Sequence, residues 1–186
     1  MQLKIIMKIE PIYWYKLLSP RAVVLISTVN KKGVSNAAPF SFVMPASVEP
    51  PMIAFASDPE HHTISNIREI GDFAVNIPGV EMLNQLWTCG EDFPEGVSEI
   101  KKARLTEKKS KKIKSPKVAE ALAQFECKLE AMYEAGDHII VVGRVVDAEV
   151  KRGLFAKGKY NLLKARPLSH VGGNEFTLPE KIIRVR

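Results

Sequence analysis

Several features common in other classes of protein are missing from this sequence of 186 residues. Its two cysteines, Cys89 and Cys127, fit no metal or redox spacing and are too few for a disulfide framework. No apolar run approaches the roughly 20 residues that a membrane-spanning helix needs. Charged residues and Pro11 interrupt residues 1–18, which lack the apolar region and cleavage site of a signal peptide. We therefore expect a cytoplasmic protein without a membrane partner.

Sequence signatures of nucleotide loops, hydrolases and metal sites are missing as well. There is no Gly-x-Gly-x-x-Gly dinucleotide fingerprint and no Gly-x-Ser-x-Gly nucleophile elbow. Residues 153–160, GLFAKGKY, approach a Walker loop, but Tyr160 stands where a Mg²⁺-binding hydroxyl is required. His61 and His62 are adjacent, so their side chains diverge, and no further His or Cys is near them. No metal site is predicted.

The net charge is +6, and much of the excess lies in one segment, Lys101 to Lys117. A basic patch of this kind can bind the phosphates of a nucleic acid. The segment has no interleaved aromatic residues to stack on bases, and neighbouring glutamates dilute its charge. We interpret it as a solvated surface segment and predict no nucleic-acid partner. A nucleic-acid-binding barrel remains a remote alternative.

Short apolar segments closed by Gly, Pro, Asn or Asp dominate the chain and are typical of β-strands. Helices are fewer and do not alternate regularly with the strands. This pattern predicts a single domain over residues 1–186, mostly β, with a few helices packed around a closed or partly closed antiparallel barrel. The predicted strands are residues 22–29, 39–44, 51–57 and 73–77, with a hairpin of 125–135 and 138–150 around Gly136-Asp137. The predicted helices run from Pro59 to Gly71, over 80–87 and over 115–123, the last with Ser115 as its cap.

The segment SNAAPFS, residues 35–41, consists mainly of small side chains, with one amide, one proline and two hydroxyls. Such residues fill a core poorly, but they allow a backbone to approach a flat or charged ligand closely. Ala37 and Ala38 would let backbone groups reach the edge of a planar ring, and Pro39 fixes the direction of the chain. Asn36 and Ser41 can form hydrogen bonds with ring or ribityl oxygens. The alternative is a strand that is small because it packs against a neighbour.

A second segment, FASDPEHHTISNI, ends a strand at Ser57 and enters a helix near Thr63. A helix start carries free backbone N–H groups and the positive end of the helix dipole, and both attract anions. Ser57 and Thr63 add hydroxyls, His61 adds a possible cation, and Asn66 lies one turn further along. The pattern indicates a phosphate pocket without a P-loop. The alternative is ordinary capping by Thr63, with Asn66 exposed.

These segments occur in order with three others, FAVNIP, GDHIIVVGRVV and RPLSHVGG. Together they resemble the flavin reductase-like family of FMN-binding split-barrel proteins, over about residues 15 to 176. The resemblance implies a Greek-key split β-barrel and a homodimer with FMN near its interface. It places the residues matching Asn36, Ala37, Ala38, Pro39, Phe40 and Ser41 along the isoalloxazine and ribityl chain, and those matching Ser57, His61, Thr63 and Asn66 around the phosphate.

The chain departs from the family pattern at two positions. The family often has Lys where His61 stands, so charge at the phosphate is reduced near neutral pH. It often has Tyr where Phe176 stands, so a hydroxyl is missing there. Glu60 would oppose a phosphate and is expected to point away from it.

These observations predict an FMN-binding oxidoreductase in which the flavin carries the chemistry and no side chain is a covalent catalyst. NADH or NADPH is the expected co-substrate, and the electron acceptor is a small molecule or a protein. An FMN-containing electron carrier that uses no pyridine nucleotide is the alternative. His138 is a weak candidate for positioning the nicotinamide. The alternative is that this histidine only forms a hydrogen bond with its own turn. Trp87 and Phe93 are candidates for covering the flavin. The alternative is that they pack in the core.

Overall fold

The computed structural model describes residues 6–185, and most of its regular elements are β-strands. In chain order the strands are β1 (Arg21–Ala22), β2 (Val24–Val29), β3 (Ser35–Phe40), β4 (Val43–Ser47), β5 (Met52–Ser57), β6 (Asp72–Ile77), β7 (Glu107–Lys108), β8 (Lys117–Val118), β9 (Ala123–Ala135), β10 (His138–Val150), β11 (Phe155–Ala156), β12 (Lys159–Tyr160), β13 (Ser169–Gly172) and β14 (Glu175–Thr177). The helices are α1 (His62–Ile70), α2 (Leu83–Thr88), α3 (Glu99–Lys102) and α4 (Leu162–Ala165), with 3₁₀ helices at Pro11–Leu18 and Val80–Met82. Within residues 6–185, none of the helices has the length and apolar character required to cross a membrane.

Seven of the strands form one antiparallel sheet in the order β3-β2-β6-β9-β10-β5-β4. Its two edges, β3 and β4, each contain a proline, Pro39 or Pro45, which an edge tolerates because proline has no N–H to give to the ladder. The sheet curls strongly, since Phe40 on β3 packs against Phe55 on the distant β5 with 5.0 Å between ring centroids. The prediction of a mostly β, partly closed antiparallel barrel with peripheral helices is confirmed.

The curled sheet is buried on both faces where it supports the groove described below. Val24 and Ile26 of β2 point into the barrel and join an inner apolar cluster that contains Phe73. Leu25, between them, points the other way because side chains alternate along a strand. It joins an outer cluster with Leu86 of α2, so the short helices cover the outer face. Both sides of β2 are thus fixed, and β2 in turn holds the edge strand β3.

The predicted helix from Pro59 to Gly71 is confirmed as α1. It ends at Gly71, which has a φ of 80° and donates its N–H to the Ile67 carbonyl. The predicted long hairpin is the pair β9 and β10, with Gly136 at a φ of 65° in its turn. The helix over 80–87 is found as a short 3₁₀ segment followed by α2. The predicted strands at 22–29, 51–57 and 73–77 correspond to β2, β5 and β6.

The strand predicted at 39–44 has the wrong bounds. The chain instead forms β3, which ends at Phe40, and β4, which starts at Val43. The small residues before Pro39 belong to a regular strand, since Ala38 lies opposite Ile26 and Ala37 opposite Ser27 of β2. The break after Phe40 lets the chain leave one edge of the sheet and begin the other edge at β4.

The helix predicted over 115–123 is also wrong. Ser115 does not cap a helix, because its N–H donates to Asp72 Oδ1 at 3.0 Å and its hydroxyl donates to the Asp72 carbonyl at 3.3 Å. The Val118 N–H donates to Asn76 Oδ1 at 2.8 Å. Side chains of β6 thus satisfy the backbone here and hold it extended as β8. Local capping signals were overridden by long-range hydrogen bonds.

The basic segment is only partly solvated, which corrects the interpretation made from the sequence. The Lys117 side chain is fully buried, and its ammonium lies 2.6 Å from Glu126 and 2.9 Å from Glu149. Burial by itself would raise the pKa of Glu126, but hydrogen bonds from Lys117 and from the backbone N–H groups of Lys111 and Lys112 bring it below its usual value. The loop is therefore wrapped around an internal carboxylate, and part of its positive charge is neutralised inside the protein.

Candidate flavin site

A groove runs along the free edge of β3. The Ala37 N–H faces this edge, because it donates to Glu99 Oε2 of α3 at 3.2 Å rather than to β2. Backbone groups of an antiparallel strand alternate between its two sides, so those of Ser35 and Pro39 face the same way as those of Ala37. Edge carbonyls are consequently available to a ligand, while the Ala37 N–H is already engaged. The prediction that this N–H reaches a ring edge requires Glu99 to move.

The first part of the groove is a cavity of about 320 Å³ between β3, the start of α1 and the loop after α2. It brings together seven of the ten residues predicted to bind the cofactor. These are Asn36, Ala37, Ala38, Pro39, Phe40, His61 and Thr63. Phe93, one of the two candidate covering aromatics, lines this cavity too.

A second cavity, of about 260 Å³, continues the groove past Pro39 and Gly90, which line both cavities. Ser41, the eighth predicted residue, lies here together with Trp87, His170 and Phe176. Trp87 is 51% exposed, so it is a wall of the groove rather than a core residue. The two cavities together follow the strand from Asn36 to Ser41, a span of ~17 Å at the usual rise per residue.

Ala37 and Ala38 lie on opposite faces of β3 and meet different surroundings. Ala37 has no exposed surface and packs in the outer cluster with Leu86 and Ile100. Ala38 is half-buried and touches the inner cluster from the groove side. Added bulk at Ala37 therefore meets the core, whereas at Ala38 it projects where a ligand would lie.

The helix end of the groove offers backbone donors. His61 is the N-cap residue of α1 and makes no side-chain capping bond. The first N–H groups of a helix have no partner within the helix, so those of His62 and Thr63 are free to bind an anion. Ser57 lies within 3.2 Å of His61 Nδ1 and is almost fully buried, so it orients that ring rather than lining the cavity.

A buried polar network supports this end from behind. Asn36 Oδ1 accepts hydrogen bonds from Thr63 Oγ1 at 3.1 Å and from Thr28 Oγ1 at 3.2 Å. Asn66 Nδ2 donates to Thr28 Oγ1 at 3.0 Å. Asn66 is thus 7% exposed and turned toward β2, not exposed as the capping alternative required. It holds the network in place, and the first cavity is lined by other residues.

The charges around the first cavity are mostly negative. Its walls include four acidic residues, Glu60, Glu91, Asp92 and Glu99. Among the described residues that line it, the side chains that can carry positive charge are His61 and His62. Glu60, which was expected to point away from a phosphate, is one of the residues that line this cavity. A phosphate here would depend on the helix N–H groups and the helix dipole, with at most two histidine charges in addition.

Cys89 is not an accessible thiol. It is 2% exposed at the back of the first cavity, and burial together with the nearby Glu99 raises its pKa to about 12. Such a thiol stays protonated and unreactive near neutral pH. Cys127 is fully buried in the inner cluster, and burial and Glu126 raise its pKa to about 12.

His138 lies outside both cavities. It begins β10 at the hairpin turn, and its Nδ1 is 2.7 Å from Asp137 Oδ1. Its ring also packs against Phe42, with 5.6 Å between centroids. In the structure His138 is therefore bonded to its own turn, which is the alternative given above.

The residues that the sequence reasoning missed include Glu99 and His170, which line the groove, and Arg21, which lies behind it. His170 lies 3.0 Å from Ser41 although 129 positions separate them, and Arg21 approaches both. Only the segment RPLSHVGG gave any signal for His170, and it gave no role. Glu99 sits in a short acidic and basic stretch that looks like ordinary surface until α3 folds against β3.

The sequence of residues 17–173 matches the family model described as a flavin reductase like domain. An uncharacterized protein from Methanothermobacter thermautotrophicus is 37% identical over 160 residues, covering 83% of this chain and 76% of the relative. Component B of nitrilotriacetate monooxygenase from Bacillus cereus superposes with a TM-score of 0.88 at 28% identity, covering 98% of this chain and all of that one.

The fold type is settled by a further solved structure. A protein from Shewanella frigidimarina with a flavin reductase split barrel domain has a TM-score of 0.86 at 20% identity, covering 96% of this chain and 93% of that one. The curled sheet described above is therefore a split barrel, as expected. The groove residues also suit a flavin: Ala38 leaves room beside an edge strand, and free helix N–H groups lie at one end.

Proposed function

This chain belongs to the flavin reductase-like family, and we propose that it is an oxidoreductase that holds FMN in the groove along β3. The observation that carries this proposal is the continuity of the groove. It joins a helix start that can hold an anion, a strand edge with small side chains, and a second cavity with aromatic walls. An elongated ligand with a phosphate at one end and a planar ring at the other matches all three parts.

Different residues along the groove would bind different parts of the ligand. Backbone N–H groups of His62 and Thr63, with the His61 ring, would hold the phosphate. Edge carbonyls and Asn36 would bind the ribityl chain. Ala38 leaves space for the ring, and Trp87 would cover it. Bound FMN supplies the hydride and electron chemistry, so the protein contributes binding, orientation and exclusion of water.

The second cavity provides room for a co-substrate next to the ring. We propose that NADH or NADPH enters there, followed by an electron acceptor that is a small molecule or a protein. Leu86 and Phe176 give this cavity an apolar floor, and Trp87 gives it an aromatic wall. These are the surfaces that a planar nicotinamide or aromatic acceptor needs for stacking.

We further propose that the protein works as a homodimer. The 3₁₀ helix at Pro11–Leu18 is rich in apolar residues yet buries none of them, with Trp14 59% and Leu17 71% exposed. A separate apolar cavity of about 690 Å³ lies beside Phe155 and Leu168. Exposed apolar surface on this scale favours association with a second copy. Light scattering should give twice the mass of the chain; a monomer mass with FMN bound would contradict the dimer.

The test of function starts from the cofactor. Protein saturated with FMN is mixed anaerobically with NADH and, separately, with NADPH, and flavin absorbance is followed. Prompt bleaching by either nucleotide supports the proposed enzyme. FMN that is bound but reduced only by dithionite would identify an electron carrier without pyridine nucleotide use. Protein that fails to retain FMN on gel filtration would contradict the proposal.

A further inference from the structure

At the ring end of the groove, Arg21 is held in one orientation by four hydrogen-bond partners. Its Nη1 donates to the Tyr15 carbonyl at 2.8 Å and to Ser19 Oγ at 3.2 Å. Its Nη2 lies 3.3 Å from His170 Nδ1, and its Nε lies 3.4 Å from Ser41 Oγ. The guanidinium therefore reaches the second cavity only through His170 and Ser41.

This arrangement fixes the tautomer of His170. A guanidinium can only donate hydrogen bonds, so the Nδ1 atom that faces Arg21 must be an acceptor. The ring proton then sits on Nε2, which lies 3.1 Å from the Gly173 carbonyl and donates to it. Both nitrogens of the His170 ring are thus engaged in hydrogen bonds.

The same logic orients the Ser41 hydroxyl. Its proton points to His170 Nδ1 at 3.0 Å and shares the single lone pair of that nitrogen with the more distant Arg21 Nη2 at 3.3 Å. One of the two lone pairs of Ser41 Oγ accepts a hydrogen bond from Arg21 Nε. The other lone pair remains available to the second cavity, where Ser41 is a lining residue. The charged side chain that lines this cavity, Glu91, is likewise an acceptor when ionised.

We propose that the chain Arg21–His170–Ser41 makes the ring end of the groove a hydrogen-bond-accepting site that selects aromatic rings carrying an in-plane N–H donor, as in an amide or imide. Ser41 is the contact residue, whereas His170 and Arg21 are positioning residues. Rings that present a carboxylate at this place are disfavoured, because they would set one acceptor against another. The inference rests on the proposed function for the identity of the ring but not for the polarity of the site.

Two sources share this chemistry, and two arms of one experiment distinguish them. The flavin ring itself carries an imide N–H, so the first arm titrates apoprotein with lumiflavin and with 3-methyllumiflavin, which lacks that N–H. A nicotinamide carries a carboxamide, so the second arm titrates FMN-saturated protein with benzamide and with benzoate. Flavin fluorescence and absorbance report the affinities.

The donor-bearing ligand should bind about threefold to tenfold more tightly in one arm, the usual effect of one neutral hydrogen bond. The arm that shows the preference identifies the source. Ser41→Ala should abolish the preference and Ser41→Thr should retain it. His170→Leu should reduce it, because Ser41 could then turn its proton toward the ligand. Ser65→Ala is the matched control, since its exposed hydroxyl bonds only the His62 carbonyl at 2.9 Å.

The ratio of the two affinities separates positioning from a merely structural role. A structural role for His170 would lower the melting temperature and weaken both ligands of a pair equally, leaving the ratio unchanged. No preference in either arm, or a preference that survives in Ser41→Ala, would overturn the inference. Apoprotein that prefers lumiflavin over its methylated form yet fails to bind FMN would contradict the proposed function and leave this inference standing.

Discussion

Replacing each of the two alanines of β3 by valine tests the position of the ligand most sharply. Both changes add two methyl groups to a strand, where valine is well accommodated. The structure gives them different surroundings, since Ala37 is fully buried in the outer cluster and Ala38 is half-buried on the groove. The pair is therefore its own matched control: the same added volume on neighbouring residues of one strand.

Ala37→Val should destabilise the protein. Overpacking a filled core costs about 1 to 3 kcal/mol. For a chain of this size each kcal/mol lowers the melting temperature by roughly 2 to 4 °C. We expect a loss of several degrees from Ala37→Val, with the FMN affinity of the folded protein changed much less than its stability.

Ala38→Val should do the reverse. The free energy of unfolding of the apoprotein should change by about 0.5 kcal/mol or less, as for other half-exposed positions. FMN affinity should fall at least about tenfold, which corresponds to 1.4 kcal/mol, because the added methyl groups occupy the space assigned to the ring. Fluorescence titration with FMN and thermal unfolding of the apoproteins measure the two quantities. Unchanged FMN affinity in both variants would refute the reasoning and leave packing as the cause of the small residues.

Three further predictions follow from the site and its supports. Thr63→Ala should weaken FMN binding by about 1 to 3 kcal/mol, because the Thr63 hydroxyl can turn from Asn36 to the phosphate. Parallel titrations should show little change for riboflavin, which lacks the phosphate. Equal losses for the two ligands would mean that Thr63 supports the fold rather than the ligand. Lys117→Ala should lower the free energy of unfolding, measured in urea, by about 3 to 5 kcal/mol, because it leaves the charge of the fully buried Glu126 without its partner. A decrease below about 1 kcal/mol would contradict the buried ion pair. Hydrogen bonds from Lys108, Lys111 and Lys117 lower the pKa of Glu149 from its usual 4.5. Its contribution to stability is therefore present above about pH 4.5 and is lost as the pH falls. Glu149→Gln should flatten this acid limb of the stability curve, and an unchanged limb would contradict the assignment.

Local patterns predicted much of the fold. Gly71 ended α1 and Gly136 turned the long hairpin because each signal acts within a few residues. Ser115 failed as a helix cap because Asp72, 43 positions away, binds its backbone instead. Lys117 looked solvated because nothing nearby in sequence shows that Glu126 and Glu149 would enclose it. Local signals are read correctly only where no distant partner competes for the same groups.

The candidate site shows the same division. Residues from Asn36 to Phe40 and the start of α1 could be assigned from two short segments, and the structure brings them to one cavity. The contact of Glu99 with Ala37 and the contacts of His170 with Ser41 and Arg21 could not, because they span 62, 129 and 149 positions. Ser57 and Asn66 were assigned to the ligand from spacing, yet their side chains bond to His61 and Thr28, since spacing along a chain does not fix the direction of a side chain.

One measurement tests the central claim most directly: titration of the apoprotein with FMN, followed by flavin fluorescence. The account predicts saturable binding of one FMN per chain, tighter than the binding of riboflavin because the start of α1 holds the phosphate. Equal affinities for FMN and riboflavin would contradict the phosphate site. The absence of saturable binding of either flavin would contradict the assignment of the groove along β3 as a flavin site.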